Sequence, residues 1–243
     1  MVVGMDGARG GWITAAWGET GVEMGFWSRF QEAWEFYRRK ALVILVDIPI
    51  GLPWKGAPER KCDRQARKFL GFPRSASIFS PPCRESLYAS SYREACSINR
   101  QILGKALSRQ AWNLSPKIKE VNEFLLSHRE ALGVVRESHP EVVFKGLAGR
   151  SARYSKRHPL GYEERLEVVK GFCPEAELIL SSEEWRGRRR DCLDSLLLVT
   201  AAALALRAGF SPEVWRTFPP EGGKRDPAGL PMEVVWVKGG LET

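Results

Sequence analysis

Residues 1–27 read MVVGMDGARGGWITAAWGETGVEMGFW and contain three short apolar runs separated by glycine-containing turns. The first run ends at Asp6, the second spans Trp12–Trp17, and the third spans Val22–Trp27. Short apolar runs joined by such turns are typical of β-hairpins. The opening of the chain therefore predicts an antiparallel meander of three strands.

The rest of the chain alternates between helical and extended patterns. Phe30–Lys40 has apolar side chains at helical spacing, and Leu42–Val46 is a fully apolar run typical of a strand buried on both faces. Val134–Glu137 is another short apolar run, and edge strands are expected at Val214-Trp215 and Glu233–Val237. Further helices are predicted at Glu59–Leu70, Pro140–Leu147, Tyr162–Gly171 and Asp191–Ala208.

This order of elements predicts an α/β protein with a mixed sheet flanked by helices. Residues 84–130 are helical in pattern, with breaks near Ala89–Ser91 and Ser115-Pro116. We interpret residues 84–130 as a helical insertion in a single domain that spans residues 1–243, because no proline- or glycine-rich linker isolates them.

Composition excludes several classes of protein. The 243 residues are 44% hydrophobic and 27% charged, which excludes intrinsic disorder. The longest nearly uncharged apolar run, Leu193–Leu206, is too short to cross a bilayer, and the amino terminus lacks the features of a signal peptide. Five scattered cysteines argue against a disulfide framework and a zinc site. We expect a soluble cytoplasmic protein with reduced cysteines and no membrane contact.

Acidic side chains stand at the ends of the predicted strands. Asp6 ends the first strand, Asp47 follows the buried fourth run, and Glu137 ends a later one, while Asp191 and Asp194 open an otherwise apolar helix. Buried carboxylates are costly unless they are paired, hydrogen-bonded or bound to a cation. Ligand crevices of open α/β sheets lie at the carboxyl ends of the strands, which is where three of these acids stand.

Acids that face one crevice would form a site for hard divalent cations, Mg²⁺ or Mn²⁺. Only three histidines are present, so oxygen ligands are expected. Two such ions suit hydrolysis of phosphodiester or phosphoanhydride bonds, because one activates the attacking water and the other stabilises the leaving oxygen. The predicted metal ligands are Asp6, Asp47, Glu137 and Asp194.

Each acid also has a structural interpretation. Asp6 fits a turn, Asp47 fits a backbone hydrogen bond in the loop after it, Glu137 fits an ion pair with a basic neighbour, and Asp191 fits a helix cap. Asp194 differs from these because it lies one turn inside an apolar helix, where a charge requires a partner.

Several strings of the sequence resemble those of a known family. The more specific ones are Asp47–Pro53, DIPIGLP, and Glu137–Pro140, ESHP. Others are Met5–Trp12, Arg60 with Cys62-Asp63 and Arg67, Ser77–Phe79 with Pro82 and Arg84, and Asp191–Leu196. Over about residues 3–237 the chain resembles a widespread family of predicted nucleases of undefined function, which is placed in the ribonuclease-H-like superfamily.

This resemblance implies a five-stranded sheet with three antiparallel strands followed by two parallel ones, flanked by helices. It implies catalytic acids at Asp6 on the first strand, at Asp47 on the fourth strand and at Asp194 on the late helix. Asp191 lies one turn from Asp194 and shares or takes that role, and Glu137 resembles an intermediate acid. The resemblance implies a metal-dependent nuclease without a defined substrate.

The basic residues gather in two stretches, Arg60–Lys68 and Arg186–Arg190, within a net charge of +8. Such clusters are most often solvated surface, and they also suit a phosphate-bearing partner. Arg60, Arg64 and Arg67 have the spacing of one helix face, where they would hold phosphates or pair with nearby acids. The predicted substrate-binding residues are Arg60, Arg64, Arg67, Arg84, Lys117, Lys156 and Trp54.

Two further side chains are candidates for the site. His139 follows Glu137 closely and is either a hydrogen-bonded structural residue or a proton carrier beside the metal ions, since imidazole titrates near neutral pH. Trp12, Trp17 and Trp27 lie on predicted strands and are expected in the core or on a sheet face, whereas Trp54, in the loop after Asp47, is a candidate platform on which a base stacks.

The sequence leaves three functions open. A metal-dependent nuclease that acts on DNA or RNA fits the acids and the positive charge. A non-catalytic nucleic-acid-binding protein would retain the acids for structural reasons. An actin-like phosphotransferase or ATPase would share the fold, but such proteins need two copies of it, and this chain has room for one. The sequence predicts no particular oligomeric state.

Overall fold

The central element of the protein is a five-stranded mixed sheet, seen in a computed structural model that describes residues 1–239. Its strands are β1 (Val2–Ala8), β2 (Gly11–Gly18), β3 (Gly21–Trp27), β4 (Val43–Val46) and β5 (Val135–Glu137). They lie in the order β3-β2-β1-β4-β5. The first three pair antiparallel, while β1 pairs parallel with β4 and β4 with β5. The meander and the parallel strands expected from the sequence are confirmed.

Glycines shape the meander at its turns. Gly10 adopts a φ of 80° between β1 and β2, and Gly21 adopts 109° after β2. Glycine tolerates these left-handed conformations because it has no Cβ. The chain can therefore reverse twice within 27 residues and place β1 in the interior of the sheet, where nearly all of its residues are buried.

Eight α-helices accompany the strands within the described residues. They are α1 (Phe30–Tyr37), α2 (Lys61–Leu70), α3 (Tyr92–Leu103), α4 (Arg109–Ser127), α5 (Pro140–Ala148), α6 (Pro159–Lys170), α7 (Ala176–Ser181) and α8 (Arg189–Arg207). The sequence predicted the presence of most of them, but α7 was not expected. Helix α6 begins three residues earlier than predicted, because Pro159 occupies its first turn and the Nδ1 atom of His158 accepts the Leu160 N–H at 3.2 Å.

The predicted break at Ser115-Pro116 is wrong. Helix α4 continues through Pro116, and the Ser115 hydroxyl donates a hydrogen bond of 2.9 Å to the Ala111 carbonyl. Proline in a helix interior removes one backbone hydrogen bond. Apolar side chains on both sides of Pro116, among them Ala111 and Ile118, are buried, and their packing holds the helix together across the missing bond.

The two predicted edge strands lie outside the five-stranded sheet. They are β6 (Trp215–Phe218) and β7 (Val234–Val237), which pair as a separate two-stranded sheet. Strand β6 begins one residue later than expected and extends further.

The chain divides into two compact units. The first comprises Met1–Asp47, Gly133–Arg216 and residues 235–239, and it contains the five-stranded sheet. The second comprises Ile48–Leu132 and Thr217–Val234, and it contains α2, α3 and α4. The helical residues 84–130 lie in this second unit.

Helix α8 packs closely against β1 in the core of the first unit. A Cβ on Gly4 would lie 2.3 Å from the Ser195 carbonyl oxygen and 2.4 Å from the Val199 nitrogen, so glycine is required for this approach. The Ser195 hydroxyl also donates a 3.1 Å hydrogen bond to the Ile13 carbonyl of β2. The amino-terminal turns of α8 are thereby fixed near the carboxyl end of β1.

The cysteines are free thiols in this fold. Burial raises the pKa of Cys173 and of Cys192 to about 12, so both remain protonated and unreactive at neutral pH. None of the helices in residues 1–239 combines the length and the apolar character that a transmembrane span needs.

Candidate functional site

The sheet brings Asp6 and Asp47 side by side. Met5 of β1 is level with Val46 of β4, so the next residue on each parallel strand lies at the same edge of the sheet. The Asp47 N–H donates a 3.0 Å hydrogen bond to the Met5 carbonyl and extends this register by one step. Side chains alternate along a strand, so Asp6 shares the face of Gly4, which is the face covered by α8.

Helix α8 adds two further acids at this edge. Asp191 lies in the first turn of the helix, and Asp194 follows one turn later with 1% of its surface exposed. The ammonium group of Lys156, from the loop between α5 and α6, forms an ion pair with Oδ2 of Asp194. We call Asp6, Asp47, Asp191 and Asp194 the carboxylate cluster.

The members of the carboxylate cluster repel one another. Burial raises the pKa of Asp6 well above its ordinary value, and the charges of Asp47, Asp194 and Asp191 raise it further, whereas Lys156 opposes them. The pKa of Asp47 is also raised, first by burial and then by Asp194, although His139 and Lys156 lower it. Burial first, and then repulsion between the acids, therefore favours the protonated forms of Asp6 and Asp47.

Lys156 is held by several acids. Asp194 raises the pKa of Lys156 most, and Asp6 and Asp47 add to this effect, against the opposing effect of burial. The ammonium group is thus the cation that this cluster holds. Among residues 1–239, no three His, Cys, Asp or Glu side chains are arranged as a ready metal-binding group. A lysine in a loop shows no sequence pattern that would pair it with an acid 38 residues later.

Glu137 has a different position from the other predicted ligands. It is level with Val46 in the pairing of β4 with β5, so Ser138 follows at the level of Asp47. Alternation of side chains assigns Glu137 to the face of Met5 and Val46, opposite to the face that carries Asp6. The structure therefore brings together the four aspartates, and it places the buried Glu137 on the other side of the sheet.

His139 lies beside the cluster at the start of α5. Its Nδ1 atom accepts the Glu141 N–H at 3.2 Å, so in the neutral ring the proton is on Nε2. Its interaction with Asp47 lowers the pKa of that acid. Glu141 is itself buried and accepts a 3.0 Å hydrogen bond from Nε of Arg165. No local sequence pattern indicates this buried ion pair, since its members are 24 residues apart.

Three predicted phosphate ligands lie in the second unit. Arg60 is the N-cap of α2, where it is 1% exposed and donates to the Cys62 thiol at 3.0 Å. Helix α2 begins after Arg60, so the spacing to Arg64 and Arg67 is not that of a single helix face. Arg67 donates to Glu59, to the Ile78 carbonyl and to Ser80, whereas Arg64 is exposed.

The other predicted ligands of the second unit have structural contacts. Arg84 donates to Oδ1 of Asn122 at 3.0 Å and forms an ion pair with Asp226, which is buried. Lys117 lies half-buried on α4. Trp54 packs against the cluster of Cys62, Met232 and Val234. Lys156 is the predicted ligand that lies in the first unit with the acids.

Comparison with known proteins gave a match to one family model. The model described as "Protein of unknown function (DUF429)" matches residues 4–221. A search of curated proteins found no match, and a search of solved structures found none either.

Proposed function

This chain belongs to the DUF429 family of proteins of unknown function, and we propose that it is a metal-dependent nuclease, which hydrolyses phosphodiester bonds of DNA or RNA. The observation that carries the proposal is the convergence of Asp6, Asp47 and Asp194 from three distant segments around the ammonium group of Lys156. Mutually repelling buried acids cost stability, and strongly shifted pKa values concentrate at functional sites.

The donor types suit Mg²⁺ or Mn²⁺, although among residues 1–239 these side chains are not arranged as a ready metal-binding group. Carboxylate oxygens are the ligands that these hard cations prefer, and a bound cation would offset the repulsion among the acids that, after burial, raises the pKa of Asp6. Asp6, Asp47 and Asp194 would hold the ions, with Asp191 at the margin. When bound, such ions activate a water molecule and stabilise the departing oxygen of the phosphodiester. The proposed ligand set does not include Glu137, because its register on β5 assigns it to the opposite face of the sheet.

Two side chains of the chain itself have proposed roles in the reaction. Lys156 offsets the negative charge of the acids, and its ammonium group would contact the substrate phosphate. The Nε2 atom of His139, beside Asp47, exchanges a proton with water or with the leaving oxygen. These roles retain the predicted substrate contact of Lys156 and the predicted proton transfer of His139.

The sheet supports placement in the ribonuclease-H-like superfamily. Three antiparallel strands followed by two parallel ones, with an acid on β1, an acid after β4 and acids on the late helix α8, are the arrangement that the sequence resemblance implies. This likeness is analogy at the level of the fold, so the activity rests on the site.

The test is a cleavage assay. Labelled single-stranded, duplex, hybrid and branched substrates are incubated with the protein and Mg²⁺ or Mn²⁺. We expect at least one substrate to be cut, and cutting to fall by at least about 100-fold in Asp6→Asn and in Asp47→Asn. Glu23→Gln, which removes an exposed acid from β3 of the same sheet, serves as the matched control. Equal cutting by all four proteins would refute the proposal.

A second candidate is a non-catalytic nucleic-acid-binding protein. The position of Lys156 favours it, because the ammonium group already supplies a cation to the cluster. In that case the protein would bind nucleic acid with a steep dependence on salt, and neither Mg²⁺ nor Mn²⁺ would lead to cutting.

A further inference from the structure

A cavity of about 580 Å³ lies in the first unit where the loop before α6 meets the start of α8. We call it the basic cavity, because six of its lining side chains are cationic and two are acidic, Glu163 and Asp191. The cations are Lys156, Arg157, Arg186, Arg188, Arg189 and Arg190.

The cations of the basic cavity are only partly neutralised. Arg186 pairs with Glu183 at 3.3 Å, and Arg188 lies over the ring of Phe26. Within the part of the chain that the structure describes, no side chain pairs with the guanidinium groups of Arg157 and Arg190, which are both exposed. The first turns of α6 and α8 also line the cavity and add the positive potential of their amino ends.

The basic cavity adjoins the carboxylate cluster through two shared residues. Lys156 lines the cavity and forms the ion pair with Asp194. Asp191 also lines the cavity, and its charge contributes to the raised pKa of Asp6. A strand bound in the cavity would therefore lie against Lys156 and Asp191, which interact with Asp194 and Asp6 of the cluster.

We propose that the basic cavity binds the phosphate backbone of a single-stranded nucleic acid and delivers it to the carboxylate cluster. The inference rests on the proposed nuclease function and names its substrate class. The volume is in the range of small-ligand sites and corresponds to one or two nucleotides of a strand. Tyr162 and His158 supply rings on which bases stack, as in other single-strand sites.

The test is equilibrium binding of a fluorescein-labelled single-stranded oligodeoxynucleotide, measured by anisotropy in EDTA at several salt concentrations. The double variant Arg157→Gln/Arg190→Gln removes two phosphate contacts. Each contact to a single strand contributes about 0.7 to the slope of log affinity against log salt, so the slope falls by about 1.4 and binding at about 0.1 M salt weakens about 20-fold. A matching duplex binds more weakly than the strand.

Arg39→Gln/Arg216→Gln is the matched control, because it removes the same charge from two exposed arginines of the first unit outside the cavity. Its affinity and slope stay near those of the unaltered protein. Equal behaviour of the two double variants, or failure of the unaltered protein to bind the strand, would overturn the inference.

Cleavage assays on the same proteins separate this inference from the proposed function. If both proposals hold, Asp6→Asn binds the strand in EDTA but fails to cut it when Mg²⁺ or Mn²⁺ is present. A protein that binds through the cavity but never cuts would refute the nuclease and leave the cavity assignment standing. A protein that cuts, with equal binding by both double variants, would refute the cavity assignment alone.

Discussion

Asp6 shows, at the scale of one residue, how the carboxylate cluster lowers the stability of the folded protein. Its pKa is raised by burial and by the neighbouring carboxylates, so the folded state binds its proton more tightly than the unfolded chain does. Such a group destabilises the folded state as the pH rises from about 4, its ordinary pKa, through the pKa in the folded protein. The folded protein retains an acid that lowers its stability at neutral pH, which is expected of a functional residue.

The first prediction follows from this electrostatic cost. Asp6→Asn should raise the melting temperature at pH 7 without divalent cations, by about 3–5 °C for each unit by which the pKa of Asp6 is raised. The gain should shrink below about pH 4, where the acid is protonated in both states. Thermal melts from pH 3 to 8 test this, with Glu23→Gln expected to show little change. A loss of stability in Asp6→Asn at pH 7 would contradict the assigned electrostatics.

Gly4 is the second residue on which the site depends. A Cβ at this position would lie 2.3 Å from the Ser195 carbonyl, so Gly4→Ala must push α8 away from β1. We predict a loss of at least about 3 kcal/mol in the free energy of unfolding, measured with urea. The control is Gly18→Ala, where the new Cβ would meet Met1 Cε at an ordinary 3.5 Å. Equal stability of the two variants would show that α8 does not pack this closely.

At the scale of elements, the ion pair of Glu141 with Arg165 joins α5 to α6. Both side chains are buried, and Arg165 also donates to the Tyr154 carbonyl at 3.2 Å, in the loop that carries Lys156. The pair therefore helps to hold α6 and that loop against α5, and with them one wall of the basic cavity.

The third prediction concerns this pair. Arg165→Leu should cost about 3–5 kcal/mol, because it leaves the Glu141 carboxylate buried without its partner. The double variant Glu141→Leu/Arg165→Leu should recover part of this loss, which urea unfolding of the single and double variants would show as a coupling energy. Arg38→Ala, which breaks an exposed pair with Glu35, should cost at most about 1 kcal/mol. If the stability losses of the two single variants simply added up in the double variant, the two side chains would not be coupled, which would contradict this account.

The sequence predicts the elements well where their patterns are local. Strands β1 to β3 follow from apolar runs and glycine turns, and β4 follows from its fully apolar VILV. The continuation of α4 through Pro116 could not be predicted, because burial of its apolar face outweighs a local breaker.

The candidate site is predictable from the sequence only in part, because some of its contacts depend on tertiary packing rather than on local patterns. Asp6 and Asp47 follow parallel neighbouring strands, so their proximity follows from the fold alone. The face of Glu137 depends on the register of β5 against β4, and a shift of one residue would reverse it. The contact of Lys156 with Asp194 depends on how a loop folds back over α8, which no periodic pattern encodes.

At the scale of the whole molecule, a protein of net charge +8 gathers four aspartates at one site. Binding of a divalent cation to this site would stabilise the folded state by mass action, by about 2.7 kcal/mol at a concentration 100 times the dissociation constant. For a chain of this size, that stabilisation corresponds to a rise of about 5–11 °C in melting temperature.

Lys156 and a divalent cation should compete for the same carboxylates. We predict that Lys156→Gln binds Mn²⁺ more tightly than the unaltered protein, because the competing ammonium group is gone. Lys145→Gln, which removes a lysine from α5 of the same unit, should leave Mn²⁺ affinity unchanged. Weaker Mn²⁺ binding by Lys156→Gln would show that the lysine supports the ion rather than replaces it.

Titration of the protein with Mn²⁺, followed by the paramagnetic resonance of the free ion, measures this binding most directly. The account predicts saturable binding by the unaltered protein, its loss in Asp6→Asn and in Asp47→Asn, and its retention in Glu23→Gln. Absence of binding by the unaltered protein at millimolar Mn²⁺, or undiminished binding by both aspartate variants, would contradict it.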